Sequence, residues 1–192
     1  MSLAGICVLS LFSAWASFFG MLALISYAFL YTPLKRVSPI AVVVGAIPGA
    51  LPTLIGVVAA EGEVTALALV LFAVQFFWQF PHFWAIAWLG HGDYKKAGFK
   101  LITSNSNGEP SRTMAFNAFI YALFLVPVIA SLWLFAFESR VGLFIIFGLT
   151  AVYIALSYLF YKKPERRSAL QLMFFSFLYM PATLMLLYMD IL

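Results

Sequence analysis

The sequence predicts an all-α fold, a polytopic transmembrane helix bundle, and three observations carry that prediction. Of the 192 residues, 65% are hydrophobic and 9% charged, with a mean hydropathy of +1.03. That leaves too little polar surface to cover a water-soluble globule. The apolar runs are long enough to cross hydrocarbon as helices, whereas a membrane barrel would show short segments of alternating polarity. The charged residues fall between these runs and not within them. A net charge of +4 raises nucleic acid as a partner. Cations confined to short loops between spans follow from membrane topology, so no nucleic-acid role is expected. Cys7 is the one cysteine; it permits no internal disulfide and reads as a small apolar filler.

Six spans follow in order. The first apolar block, residues 2–31, exceeds one comfortable span and carries Ser10, Ser13 and Ser17. It predicts the tail of one helix, a bend near Ser13 and a span over 14–31, closed by Lys35 and Arg36. The second span, 40–60, holds Gly45, Pro48, Gly49, Pro52 and Gly56, residues that bend a helix and let backbones approach closely. The third covers 64–89 and precedes the longest polar stretch, 90–112. The last three cover 113–137, 141–161 and 169–188, with kinks expected at Pro127 and Pro181.

Alternation of these spans sorts the loops into two sides. Lys35 and Arg36, then Lys95, Lys96, Lys100 and Arg112, then Lys162, Lys163, Arg166 and Arg167 share one side. Arg140, with Glu61, Glu63 and Glu138, falls on the other. Ten of the 11 basic residues therefore lie together, which marks that side as cytoplasmic and supports the span count.

The third span ends in "WQFPHFWAIAWLGHGDYKKAG", residues 78–98. Read as an unbroken helix, it sets His82 about three turns from Asp93, roughly 16 Å along the axis and on nearly the same face. Gln75 and Gln79 lie on or near that stripe. A polar stripe deep in hydrocarbon has two readings: hydrogen bonds to neighbouring helices, or a wall of a functional cavity, which the stripe as a whole favours. Pro81 is expected to kink the helix, and Gly90 or Gly92 to end it. Asp93 among Lys95, Lys96, Lys100, Lys35 and Arg36 is one carboxylate surrounded by cations. That pattern also arises in an ordinary positive-inside loop, but it suits a diphosphate held with Mg2+ above an apolar cavity. Such a substrate would be a prenyl diphosphate, whose allylic cation Tyr31, Trp78, Phe83, Trp84 and Tyr94 could face.

Four segments in this order and spacing, "YTPLKR" (31–36), "GAIPGALPTLIG" (45–56), "WQFPHFWAIA" (78–87) and "DYKKAG" (93–98), closely resemble the protohaem IX farnesyltransferases, or haem O synthases, of the UbiA-type intramembrane prenyltransferases. The resemblance runs over essentially the whole chain. It implies a bundle of nine transmembrane helices in the bacterial cytoplasmic (inner) membrane, with the Asp93 loop on the cytoplasmic side. It also implies a reaction in which the farnesyl group of farnesyl diphosphate joins a vinyl group of haem B. Water adds as hydroxyl, giving haem O and diphosphate for the terminal oxidases. Haem A synthase or terminal-oxidase assembly is the protein partner so implied, with membrane lipid as the surroundings.

Carried onto this chain, the resemblance makes Asp93 a metal or diphosphate ligand. Lys35, Arg36, Lys95 and Lys96 become diphosphate contacts, Tyr31 and Tyr94 hydrogen donors beside it, and Trp78 a substrate contact. His82 becomes the haem-side residue, either an iron ligand or a base toward water; His91, at the interface beside the acid, is expected to be solvated or phosphate-facing. Residues 1–192 then read as a single transmembrane prenyltransferase domain, lacking the first two helices and most of the third. The family's N-x-x-x-D-x-x-x-D motif has no counterpart in the sequence. One carboxylate in place of a shared cage is not expected to hold Mg2+-diphosphate productively in this chain alone. Ala97 stands where the wider superfamily often has a second acid, and Thr103 where relatives carry proline. The alternatives are a UbiA-type enzyme with an aromatic acceptor, or an inactive fragment.

Overall fold

The computed structural model describes residues 2–99, 105, 108–135 and 140–191; Lys100, Thr103 and Glu138 lie outside them. Helix α1 (Ser2–Ser10) ends at a short turn, and α2 (Ala14–Ile25) starts where the Ser13 hydroxyl accepts the Trp15 N–H at 3.2 Å. The bend expected near Ser13 is thus a helix N-cap. α2 passes without interruption into a π-helical turn (Ser26–Tyr31) and a last α-helical turn, α3 (Thr32–Leu34). At the junction the Ser26 hydroxyl donates to Leu22 O at 2.7 Å and Ala23 O at 3.1 Å, adding a side-chain donor where the backbone ladder changes register.

Helix α4 (Ala41–Glu61) runs through Pro48 and Pro52 and stops at Gly62, whose φ of 82° suits glycine. Helix α5 (Ala66–Leu89) begins at Thr65, whose hydroxyl accepts the Ala68 N–H at 3.3 Å, and runs through Pro81. Gly90 ends it, and a separate short helix, α6 (His91–Lys96), carries Asp93. The unbroken projection that stacked Asp93 over His82 therefore fails at Gly90. α7 (Arg112–Leu123) and α8 (Leu125–Phe135) make one span interrupted at Phe124. The cause is Pro127, which has no N–H for Leu123 O and whose ring crowds that carbonyl. α9 (Arg140–Lys162) and α10 (Arg166–Ile191) complete the chain, with α10 continuous through Pro181. Among the described residues six helices, counting α2 with its π turn and α3, and α7 with α8, are long and apolar enough to cross a bilayer. This is an integral membrane protein.

Helix α5 is the hub, packed against α4 on one side and against α7, α8 and α10 on others, while α9 closes against α7 and α10 and α2 lies against α4. Phe80, Tyr153, Phe160 and Tyr179 are wholly buried in the main core. Large side chains such as Phe12, Phe29, Leu134 and Phe144 point outward, as expected where the surroundings are lipid.

Side-chain hydrogen bonds fasten α5 to three neighbours. Gln79 donates to Ala46 O of α4 at 2.7 Å. Trp78 Nε1 donates to Ser176 O of α10 at 3.0 Å, and Tyr153 of α9 donates to Trp78 O at 2.8 Å. Gly49 makes the first tie possible, because a Cβ there would collide with Gln79 Oε1. Gly49→Ala should therefore displace Gln79 and destabilise the protein in detergent by about 1 kcal/mol, near the upper range of intramembrane hydrogen bonds. Adding Gln79→Leu, which removes the colliding amide, should recover part of the loss in a thermal-unfolding double-mutant cycle; strictly additive losses would show that the two residues are not coupled.

Candidate functional site

A cavity of about 560 Å³ lies between the first span, α4 and α5, within the size range of small-molecule sites. Five elements build it. α2 supplies Ala23 and Leu24, the π turn Tyr27 and Tyr31, α4 Val42, Gly45, Pro48 and Gly49, and α5 Phe83, Trp84 and Ala87; Tyr94 of α6 joins them. Each contribution has a local cause. The π turn widens the helix so that Tyr27 and Tyr31 lie together, ring centroids 5.5 Å apart, on the cavity side. Gly45 leaves the Tyr31 ring room against α4, for a Cβ there would stand 2.6 Å from Tyr31 Cδ2. On α5, Phe83, Trp84 and Ala87 follow helical spacing and present one face.

Tyr31 and Tyr94 also mark where the cavity meets charge. Lys35 Nζ sits 5.6 Å from the Tyr31 ring centroid and 5.0 Å from that of Phe99, cation–π distances. Phe99 in turn packs against Tyr94 at 6.2 Å. Lys35, Tyr31, Tyr94 and Phe99 thus form one cluster, with a partly buried ammonium held over aromatic faces. Arg36, Asp93, Lys95 and Lys96 are exposed on the flanking elements, and Lys95 reaches Gly108, where a Cβ would lie 3.2 Å from its Nζ. The structure brings the tyrosines and Lys35 together and leaves the other four as a solvated fringe.

His82 and Trp78 lie elsewhere. His82 is buried against α10, with Nδ1 2.6 Å from Ser176 Oγ. Trp78 stacks on it at 5.0 Å and 14°, Phe177 meets it edge-on at 5.0 Å, and Phe83 packs at 5.5 Å. Neither His82 nor Trp78 lines the cavity. The polar stripe on α5 divides instead, Gln79 turning to α4 and His82 to α10. Phe83, which lines the cavity and touches the His82 ring, is the one residue shared by both places.

Two participants escaped the sequence reading. Tyr27 was legible as the residue four before Tyr31, a same-face pair on a helix. Ser176 was legible only as a serine inside an apolar run, which by itself does not tell what it bonds.

A Mg2+ site is not assembled by these residues. Among the described residues no three His, Cys, Asp or Glu side chains gather closely enough to hold a metal ion, and Asp93 stands as one exposed carboxylate. Oxygen ligands beyond it would have to come from elsewhere.

A model of the UbiA prenyltransferase family matches residues 1–179. The chain is 41% identical over 181 residues to "Protoheme IX farnesyltransferase" of Cytophaga hutchinsonii, covering 93% of this chain and 62% of that protein. It is 35% identical over 180 residues to the protein of that name from Christiangramia forsetii, covering 91% and 59%. It is also 34% identical over 167 residues to "Protoheme IX farnesyltransferase, mitochondrial" of Arabidopsis thaliana, covering 82% and 36%. The chain thus spans about six tenths of the length of its bacterial relatives. No solved structure matches it.

The cavity depends on Gly45, and this can be tested before any substrate is assigned. Gly45→Val should drive the Tyr31 ring into the cavity and weaken uptake of an apolar fluorescent probe by about tenfold, or 1.4 kcal/mol. Gly56→Ala, on the same helix but with nothing within 4 Å of its added methyl, should leave uptake unchanged. Equal losses in both variants would mean that α4 is disturbed as a whole.

Proposed function

The chain belongs to the UbiA prenyltransferase family, and from that premise we propose that it transfers the farnesyl group of farnesyl diphosphate to a vinyl group of haem B, releasing diphosphate and yielding haem O. One observation carries the reading: an apolar, aromatic-walled cavity opens beside a lysine held over Tyr31 and Phe99. A prenyl chain requires the first and a diphosphate the second. The names of the relatives, all protoheme IX farnesyltransferases, support haem B as acceptor over the aromatic acceptors other enzymes of this chemistry use.

In this reading the hydrocarbon tail lies among Ala23, Leu24, Pro48 and Gly49. The diphosphate meets Lys35, with Arg36, Lys95 and Lys96 as further cations and the Tyr31 and Tyr94 hydroxyls as donors. Cleavage of the allylic carbon–oxygen bond sends its electron pair to diphosphate. The cation left behind faces the rings of Tyr27, Tyr31, Phe83, Trp84 and Tyr94, whose quadrupoles favour positive charge in a water-poor cavity. The vinyl group supplies the electrons of the new carbon–carbon bond. Water adds its oxygen to the resulting cation and loses a proton, for which His82 is the candidate acceptor if it does not ligate the iron. UbiA-type enzymes generally use Mg2+ with their diphosphates. The residues described here offer Asp93 alone toward it, and no step above passes through a metal.

The proposal extends to placement and extent. The Lys35, Asp93 and Arg166 loops are assigned to the cytoplasmic side of a bacterial inner membrane from the partition of basic residues. The chain is read as the part of the prenyltransferase domain that follows the first Asp-rich motif, so its activity is to be measured both alone and joined to the preceding helices of the Cytophaga hutchinsonii relative.

Two outcomes are expected. With Cys7→Ser as background, cysteines at the exposed positions Val37, Ala97 and Glu165 should react only with a reagent supplied from the cytoplasmic side, and one at Glu63 only from the other; labelling of any of the first three from outside breaks the topology. In the joined chain Asp93→Asn should lower haem O formation on the order of a hundredfold, the scale of losing one electrostatic contact at a reacting centre. The variant should still insert and express, because Asp93 is exposed and packs against little. Near wild-type haem O from that variant removes Asp93 from the site.

A further inference from the structure

The hydroxyl of Ser176 has two close partners, and only one arrangement of hydrogens satisfies both. It lies 2.5 Å from Met173 O and 2.6 Å from His82 Nδ1. A carbonyl oxygen can only accept, so the single hydroxyl hydrogen of Ser176 is on the bond to Met173. The contact with His82 must then use a hydrogen on Nδ1. In a neutral imidazole that leaves the lone pair on Nε2.

The rest of the surroundings hold the ring in that attitude. Ser176 is wholly buried, and its own carbonyl takes the Trp78 indole N–H at 3.0 Å while Trp78 stacks on the imidazole. Tyr153 fixes the Trp78 backbone from the other side. Nε2 is differently placed. Among the described residues no hydrogen bond reaches it, and it is not sealed off completely, since the one fully enclosed side-chain polar atom without a partner is Thr183 Oγ1, although His82 as a whole is 8% exposed. The neighbouring rings Phe83 and Phe177 are themselves 45% and 53% exposed, so the groups around the imidazole are apolar and partly exposed.

We infer that Ser176 is a positioning residue, fixing the Nδ1–H tautomer of His82 so that a bare Nε2 is presented to the iron of a bound haem. The inference rests on haem B being the acceptor, as proposed above, and it adds the atom that meets it and the residue that selects that atom. A histidine that ligates iron through one nitrogen commonly has its other nitrogen held by a hydrogen-bond partner, and loss of that partner typically weakens metal binding by 10- to 100-fold.

The test has two arms on the full chain in detergent or lipid. With His82 and His91 the two histidines present, 15N-histidine labelling resolves both rings, and His82→Gln assigns them. The His82 spectrum of the substrate-free protein should show a protonated Nδ1 and an unprotonated Nε2. A protonated Nε2, alone or together with Nδ1, overturns the inference. In the second arm ferric haem is titrated and its absorption spectrum followed, with metal-free protoporphyrin as the control. Ser176→Ala should weaken haem binding about tenfold or more and change the ligand-field bands, Ser176→Thr should restore both, and protoporphyrin binding should not respond. Unaltered haem affinity and spectrum in Ser176→Ala overturn the positioning role. If the wild-type chain has the stated tautomer but binds no haem, the coordination is overturned, while farnesyl transfer is judged separately by product assay on the joined chain.

Discussion

Within hydrocarbon no water is available to satisfy a polar group, and α5 is organised by that constraint. It carries Gln79, His82 and the Trp78 indole through the middle of the bundle, and each finds its partner on another helix, Ala46 of α4 or Ser176 of α10. An unpaired group in lipid would cost several kcal/mol, whereas each interhelical bond contributes little beyond satisfaction, on average about 0.6 kcal/mol. The ties therefore act chiefly by making other rotations of α5 costly. Proline assists. Pro81 and Pro181 leave Phe77 O and Phe177 O without their usual helical donors, and the carbonyls that accept side-chain bonds, Trp78 O and Ser176 O, are next to these. A loosened ladder presents its oxygens to neighbouring helices.

The orientation so fixed decides where the cavity can be. With Gln79 held to α4 and His82 to α10, the face bearing Phe83, Trp84 and Ala87 is turned toward the first span. α4 then needs to be close to α5 at one level and set back at another. Gly49 gives the close approach to Gln79, and Gly45 gives Tyr31 its place. The glycines four residues apart thus work on different neighbours, one tightening the α4–α5 contact and the other shaping the cavity wall. The π turn completes the wall, because an α-helical register through Ser26–Tyr31 would rotate Tyr31 relative to Tyr27 and to Gly45.

Much of this was legible in the sequence, and the limits have physical causes. The spans were readable because hydrocarbon imposes length and composition on each helix, and the Ser13 break because an apolar run too long for one span must bend or stop. The Gly/Pro pattern of α4 announced close packing without naming the partner. Tyr31, Lys35 and Tyr94 were picked out individually, and the fold brings them together. The projection from His82 to Asp93 applied only to an unbroken helix, and Gly90, one of the two glycines expected to end it, does so. The division of the α5 stripe was hidden for another reason: whether a glutamine or histidine faces a cavity or a neighbouring carbonyl depends on which helix lies beside it, and that is set by contacts between residues far apart in the chain, such as His82 and Ser176.

The separation of His82 from the cavity bears on how a two-substrate reaction could proceed here. On the proposed reading, a prenyl cation generated beneath Lys35 must reach a vinyl carbon before it reaches water, so the two substrates have to meet across a short, dry path. Phe83 is where such a path is available, since its ring lines the cavity and packs on the His82 imidazole at 5.5 Å. It is half exposed, and its ring has none of the hydrogen bonds that fix Gln79 and His82. On the proposed reading the fixed groups hold the two substrates in place, and the unfixed phenylalanine between them sets whether the cation and the vinyl group meet.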